Sequence, residues 1–464
     1  MRSVSLCVVV AIHVVTARDA FAIDPTRHVS QYVHRHLGAR DGLPHNLANS
    51  LVQTADGYLW VGTEQGLGRY DGHGFTTFDR DHGLPTNTVS AVAAAGDVLW
   101  IGTRERGLVV RTADGAFSPV TDPGIGLQIR ALAIDRNGDL WIGSRDRGVA
   151  RLHAGKVVAT LRAGDALPSD DVRDLVVARD GAVWIGTFKG VVRVSNGNVA
   201  PGPAELAGVA VFAIVEDRHA DVWFGSQAGL ARVHAGTLST IDMPAGDPSV
   251  VRLLSDRDGN LWIGQPRGLL RLGDDGRIES LHPLDARVLA LVEDRQGDVW
   301  IGTELGLDEL SDSDMLPISA AEGLTDEAVY GVFEDSKGAR WIGATGGLFR
   351  WPDGAAPVNV STEHKTVYAI HEDAHGDVWA GARDGSIGRW HDDKFTWLTT
   401  RPWEQVRVIA DAPDGLWIGT DHGLFRSHGD RIDEAEAIVS GPIVTAIVTE
   451  PSGALWLGTE GGGL

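Results

Sequence analysis

Three sets of residues have types and spacings that could do chemistry. His34 and His36 stand two apart, so on an extended strand their imidazoles share one face, as two metal ligands would. No third ligand lies near them in sequence, and no metal is expected. Asp135-Arg136-Asn137-Gly138-Asp139 and Asp256-Arg257-Asp258-Gly259-Asn260 alternate oxygen-bearing side chains as a calcium loop does. Neither has a bidentate glutamate downstream, and the same turn recurs without the extra oxygens, so both read as hairpin turns. The third set sits eleven residues before a recurring tryptophan: Asn49, Val89, Arg130, Arg173, Phe212, Val251 and Leu289, then Tyr330, Tyr368, Arg407 (allowing for a one-residue deletion) and Thr445. Arginine and aromatic side chains suit an anionic or carbohydrate ligand, and packing between repeats is the simpler alternative. Arg130, Arg173, Phe212, Tyr330, Tyr368 and Arg407 are therefore the candidate ligand-binding residues. Nucleophile elbows, phosphate-binding glycine loops and the His-Glu-x-x-His zinc pattern do not stand out. No catalytic residue and no cofactor is assigned. A glycosidase-type carboxylate pair cannot be picked from 63 acidic residues.

The elements that must position these residues repeat. Trp60, Trp100, Trp141, Trp184, Trp223, Trp262, Trp300, Trp341, Trp379, Trp417 and Trp456 follow one another at 38 to 43 residues, each with glycine two positions later. Most are preceded by an Asp-x-x-Gly or Asp-Gly turn and followed by Gly-Leu/Val and then arginine. A fixed period near 40 with this turn density indicates a propeller or solenoid. Runs such as Val288-Leu289-Ala290-Leu291-Val292 lack polar alternation and read as strands buried on both faces, the innermost strand of a blade. Helical periodicity is absent. The fold expected is all-β, a β-propeller with four-stranded blades. Tryptophan supplies apolar surface to a blade that cannot bury its faces alone, and the following glycine allows close backbone approach or a bulge. The arginine recurs at 69, 111, 151, 193, 232, 271, 350, 389 and 426, with Glu309 as the exception, and reads as a structural ion pair or hydrogen bond.

Residues 1–22 read as a signal peptide, with Arg2, an apolar stretch from Leu6 to Val15 and Ala20-Phe21-Ala22. Cys7, the one cysteine, falls inside it, so no internal disulfide can form. The net charge of −22 is spread through the repeats without a basic stripe, which argues against nucleic-acid binding. A periplasmic location is expected, with membrane contact only through parts beyond residue 464.

Asp41-Gly42-Leu43-Pro44-His45-Asn46, Asp56-Gly57-Tyr58-Leu59-Trp60-Val61-Gly62-Thr63 and Gly66-Leu67-Gly68-Arg69-Tyr70-Asp71-Gly72 closely resemble the two-component regulator propeller repeat, and the resemblance runs over residues 28–464. It implies two seven-bladed propellers ahead of a β-sandwich, a membrane helix and a cytoplasmic histidine kinase or diguanylate cyclase. Residues 28–310 are expected to form the first ring, with residues 32–37 supplying the missing outer strand of blade seven. Residues 314–464 are expected to form four blades of a second ring, opened by Glu322-Gly323-Leu324-Thr325-Asp326, with Met315-Leu316-Pro317-Ile318 as its closing strand. The break at Gly461-Gly462-Gly463-Leu464, inside a repeat, reads as truncation.

The expected function is non-enzymatic: the extracytoplasmic ligand-sensing part of a signalling receptor. Its ligand would be a small molecule or, by the resemblance, an oligosaccharide. A homodimer would suit such a receptor, although no residue indicates one. The alternatives are a secreted propeller enzyme, a lyase or glycosidase, and a protein-binding scaffold.

Overall fold

The computed structural model describes residues 23, 27–281, 284–312, 323–324, 328–352, 357–361, 363–399, 405–429, 431–450 and 453–461. The expected signal peptide, the strand at 315–318 and most of the 322–326 echo lie outside them. The chain forms two compact units, residues 1–316 and 317–464.

The first unit is a β-propeller of seven four-stranded antiparallel sheets. The first runs from the inner strand Ala48–Gln53 through Leu59–Thr63 and Gly66–Tyr70 to Phe75–Phe78. In the seventh the order is Val288–Glu293, Val299–Thr303, Leu307–Ser311 and then Val33–Leu37 from the chain start. Val33 lies opposite Ser311 and Leu37 opposite Leu307. Each inner strand touches the next, and the seventh returns to the first, so the ring of blades is closed. In the second unit three four-stranded sheets, with inner strands Val329–Glu334, Val367–Glu372 and Val406–Ala412, are followed by the pair Ile443–Thr449 and Leu455–Glu460.

The repeated residues build the contacts between blades. Trp141 packs with Val172, Leu175, Val183 and Ile185 of the following blade, and Trp300 packs with Ala48, Leu59 and Val61 across the closure. The glycine two residues on is the point of closest approach. A Cβ on Gly143 would meet Val172 Cγ1 at 2.6 Å, and one on Gly302 would meet the Ala48 carbonyl oxygen at 2.5 Å. Any larger residue would push the next blade away. In most blades the turn aspartate ties hairpin to core. Asp256 accepts backbone N–H groups of Asp258 and Asn260 at 3.2 and 2.8 Å, and its other oxygen accepts the Trp262 indole N–H at 2.8 Å. Asp135 does the same for Asn137, Asp139 and Trp141. Both carboxylates are thus consumed inside their hairpins, as turn residues.

In most blades the recurring arginine lies across from the tryptophan, as Arg151 does from Trp141 with its guanidinium over the indole at 5.4 Å, whereas Arg111 lies across from Leu99 and over Trp60 of the preceding blade. Several also bond an aspartate two residues before that tryptophan, as Arg232 bonds Asp221 at 2.8 Å. Where Glu309 replaces it, Arg35 of the closing strand sits opposite at 3.6 Å. His34 and His36 share one oxygen of Asp308, at 2.9 and 2.8 Å, and stitch the same strand to blade seven.

Candidate functional site: an arginine-lined axial cavity

The inner strands of the first unit start with a β-bulge in every blade but the sixth. In blade three Ile129 faces Ser144 and Ala131 faces Gly143, so Arg130 has no partner on the neighbouring strand. Arg173, Phe212, Leu289 and Asn49 occupy the same extra position in blades four, five, seven and one. A bulge leaves its residue out of the ladder and re-aims its side chain. Here the side chains turn toward the ring axis, where residues from all seven blades enclose a cavity of about 450 Å³.

Arg130, Arg173 and Phe212 line this cavity together with Asn49, Val251 and Leu289. Val89 does not. The turn before Trp100 is shorter, with strand Val89–Ala95 running almost directly into Val98–Thr103, so counting back eleven residues lands one position early. Val89 is fully buried, and Ser90 is the bulge residue on the cavity wall. Tyr330, Tyr368 and Arg407 belong to the second unit. They hold bulge positions there, with the two tyrosine rings edge to face at 4.6 Å and Arg407 paired with Asp421.

The wall also contains residues that counting from the tryptophan at one offset misses. Arg104, Arg145 and Glu304 follow the second strand, four residues after their tryptophans. Each donates its backbone N–H to a carbonyl just before a bulge: Arg145 to Gln128 at 2.9 Å and Glu304 to Arg287 at 3.3 Å. Gln128 and Arg287 line the cavity too. The signal for these positions is variability at two further repeat offsets. Arg252 enters from another column. The residue after the bulge position is Ser50, Ala91, Ala131, Ala213 or Ala290 in five blades, but Asp174 and Arg252 in blades four and six. Two charges in a column of small residues were the clue.

The electrostatics are those of crowded cations. Burial lowers the pKa of Arg130, the Arg173, Arg145 and Arg104 charges push the same way, and Asp171 opposes them. Arg130 lies 3.7 Å and Arg173 2.8 Å from the Asp171 carboxylate. Arg173 also lies over the rings of Phe188 and Phe212, at 5.1 and 5.8 Å from their centroids. Arg104 pairs with Glu64 at 2.7 Å. Arg252 is lowered by burial and by Arg287 and Arg173, and is supported by Asp174. Asp174 accepts the Ile214 and Leu175 backbone N–H groups at 2.8 and 2.9 Å, yet its withdrawal from water raises its pKa to about 6. Desolvation outweighs these hydrogen bonds.

Residues 42–65, 123–146, 166–189 and 283–304 match the family model of the two component regulator propeller. The chain carries two-component regulator propeller repeats. These repeats share their fold with the extracellular domain of the hybrid two component system BT3049 from B. thetaiotaomicron, at 24% identity over 93% of this chain and 64% of that one, with a TM-score of 0.71. The extracellular domain of the one component system BT4673 from the same organism is similar at 22% identity over 93% of this chain and 65% of that one, TM-score 0.52. The chain therefore spans 64–65% of the length of these domains. Virginiamycin B lyase from Staphylococcus aureus shares the propeller at 15% identity, over 61% of this chain and 99% of that one, TM-score 0.52. No curated protein sequence matches. Among the described residues no helix is long and apolar enough to cross a membrane.

Proposed function

We propose that this propeller region is the extracytoplasmic, ligand-sensing part of a bacterial signal-transduction receptor of the two-component kinase or diguanylate cyclase type. Residues 1–22 direct it to the periplasm, and a small molecule or oligosaccharide bound in the axial cavity of the first ring is its stimulus. The observation that carries this reading is convergence. Positions that stay constant from repeat to repeat build blades, whereas the varying positions of all seven blades of the first unit meet on one 450 Å³ cavity. A concave site with convergent polar groups is where a ligand is expected. The likeness to extracellular domains of signalling systems supports the same reading at the level of fold. The lyase likeness, at 15% identity, is likewise one of fold.

The test is made in cells. Arg130→Ala and Phe212→Ala are placed in the chromosomal gene and the transcriptional output of the receptor is followed during growth on different carbon sources. The sensing reading predicts that both variants accumulate normally and lose the stimulus-dependent response. An unchanged response at normal abundance would remove the cavity as the sensing site.

A further inference from the structure

The cavity wall carries more positive charge than its own carboxylates can balance. Arg104, Arg130, Arg145, Arg173, Arg252 and Arg287 line it with a single acidic residue, Glu304, in a chain whose overall charge is −22. Behind the wall, Glu64 holds Arg104, and Asp171 is shared by Arg130 and Arg173. Arg252 donates to two backbone carbonyls, those of Val251 at 2.6 Å and of Leu289, and has Asp174 as its nearest balancing charge. Two arginines remain. Among the described residues the guanidinium groups of Arg145 and Arg287 pair with no carboxylate, Glu304 accepting only the Arg287 backbone N–H at 3.4 Å, and both residues are exposed.

Their placement is informative. Arg145 belongs to the third blade and Arg287 to the seventh, three blades apart one way and four the other. They therefore face each other across the axis. They also lie at the same depth, because the Arg145–Gln128 and Glu304–Arg287 backbone hydrogen bonds are the same bond in two blades. Like charges whose backbones are fixed on opposite blades, with no carboxylate paired to either guanidinium among the described residues, above a cavity of about 450 Å³, suit an anion.

We propose that the axial cavity takes a small, elongated dianion, one anionic end held by Arg145 and the other by Arg287. This deepens the sensor reading, since it rests on the cavity being the ligand site. The Phe212 and Leu289 side chains on the same cavity wall suit an aliphatic or ring-shaped middle section. Carboxylate and sulfonate, sulfate or phosphate ends share the chemistry that arginine recognises.

The test is calorimetric titration of the full chain with linear dicarboxylates from malonate to suberate, with monocarboxylates and diols of matching length, and with butane-1,4-disulfonate. The expected result is binding of dicarboxylates in one range of lengths, about tenfold or more tighter than the matching monocarboxylate, and weakened by added salt. The disulfonate arm separates oxyacid ends from carboxylate ends. Arg145→Gln and Arg287→Gln should each lower dianion affinity about tenfold to a hundredfold and bring it level with the monoanion. Arg145→Lys should restore part of the loss. Both side chains are exposed, so an unchanged melting temperature is expected for each variant. Dianions that bind no better than monoanions, no binding by any dianion, or full affinity in both glutamine variants would each overturn the proposal. Binding that passes these tests, while cavity substitutions leave receptor output untouched, would keep the dianion site and remove the sensor reading.

Discussion

Asp298 offers a quantitative test of how the blades are held together. It occupies the place of Asp139 and Asp221, whose carboxylates are bonded by Arg151 and Arg232 and lie below the usual range. In blade seven that arginine is Glu309, so burial first, then Asp294, Glu309 and Asp312, raise Asp298 to about 7. Blade six shows the remedy. Asn260 holds the equivalent position and donates its side-chain N–H to Asp256 at 2.7 Å. Asp298→Asn should make the same bond to Asp294 and end the like-charge contact. The folded pKa is raised above 3.8, so folding binds a proton and stability falls as pH rises from about 4 through 7. A shift of about three pKa units sets a ceiling of about 4 kcal/mol. Partial exposure and solvent screening reduce this to about 1–2 kcal/mol. The assay is thermal unfolding at pH 5 and pH 8. The variant should melt about 2–3 °C higher at pH 8 and show about two fifths of that gain at pH 5. An equal gain at both pH values, or a loss at pH 8, would refute the argument.

Other predictions concern the ring and its cavity. Asp174, raised to about 6, makes stability fall as pH rises from about 4 to 6, and Asp174→Asn should flatten that slope in urea unfolding curves. Trp262, fully buried among Tyr32, Val288 and Ile301, should cost about 3–5 kcal/mol on truncation to alanine, read as a lower urea midpoint. Gly302→Ala places a Cβ 2.5 Å from the Ala48 carbonyl oxygen, so it should cost about 1–3 kcal/mol and speed proteolysis where blade seven meets blade one.

Much of the architecture was legible because each repeat states its own physics. Trp141 with Gly143, and Asp135 before them, announce a blade whose indole packs on the next one and whose turn carboxylate holds that indole. Glu309 announced an exception, and the structure explains it by Arg35 on the strand that pairs there. The site was only partly legible. Counting back from tryptophan finds Arg130, Arg173 and Phe212, because the bulge that aims them sits at a nearly constant offset. It fails in blade two, where a shorter turn moves the bulge to Ser90. Arg104, Arg145 and Arg287 were missed because nothing in one linear chain says that loops after the second strand and residues before the bulge meet at one mouth. That meeting exists only once seven blades close. Asp174 and Arg252 were visible as outliers among alanines, yet their mutual influence spans two blades.

The central claim is that stimulus binds on the axis of the first ring. Hydrogen exchange of the full chain, with and without the stimulus that raises receptor output, tests it most directly. The account predicts new protection at the starts of the inner strands, around residues 49, 90, 130, 173, 212, 251 and 289, in blade after blade. Protection confined to the outer strands or to residues 317–464 would contradict it.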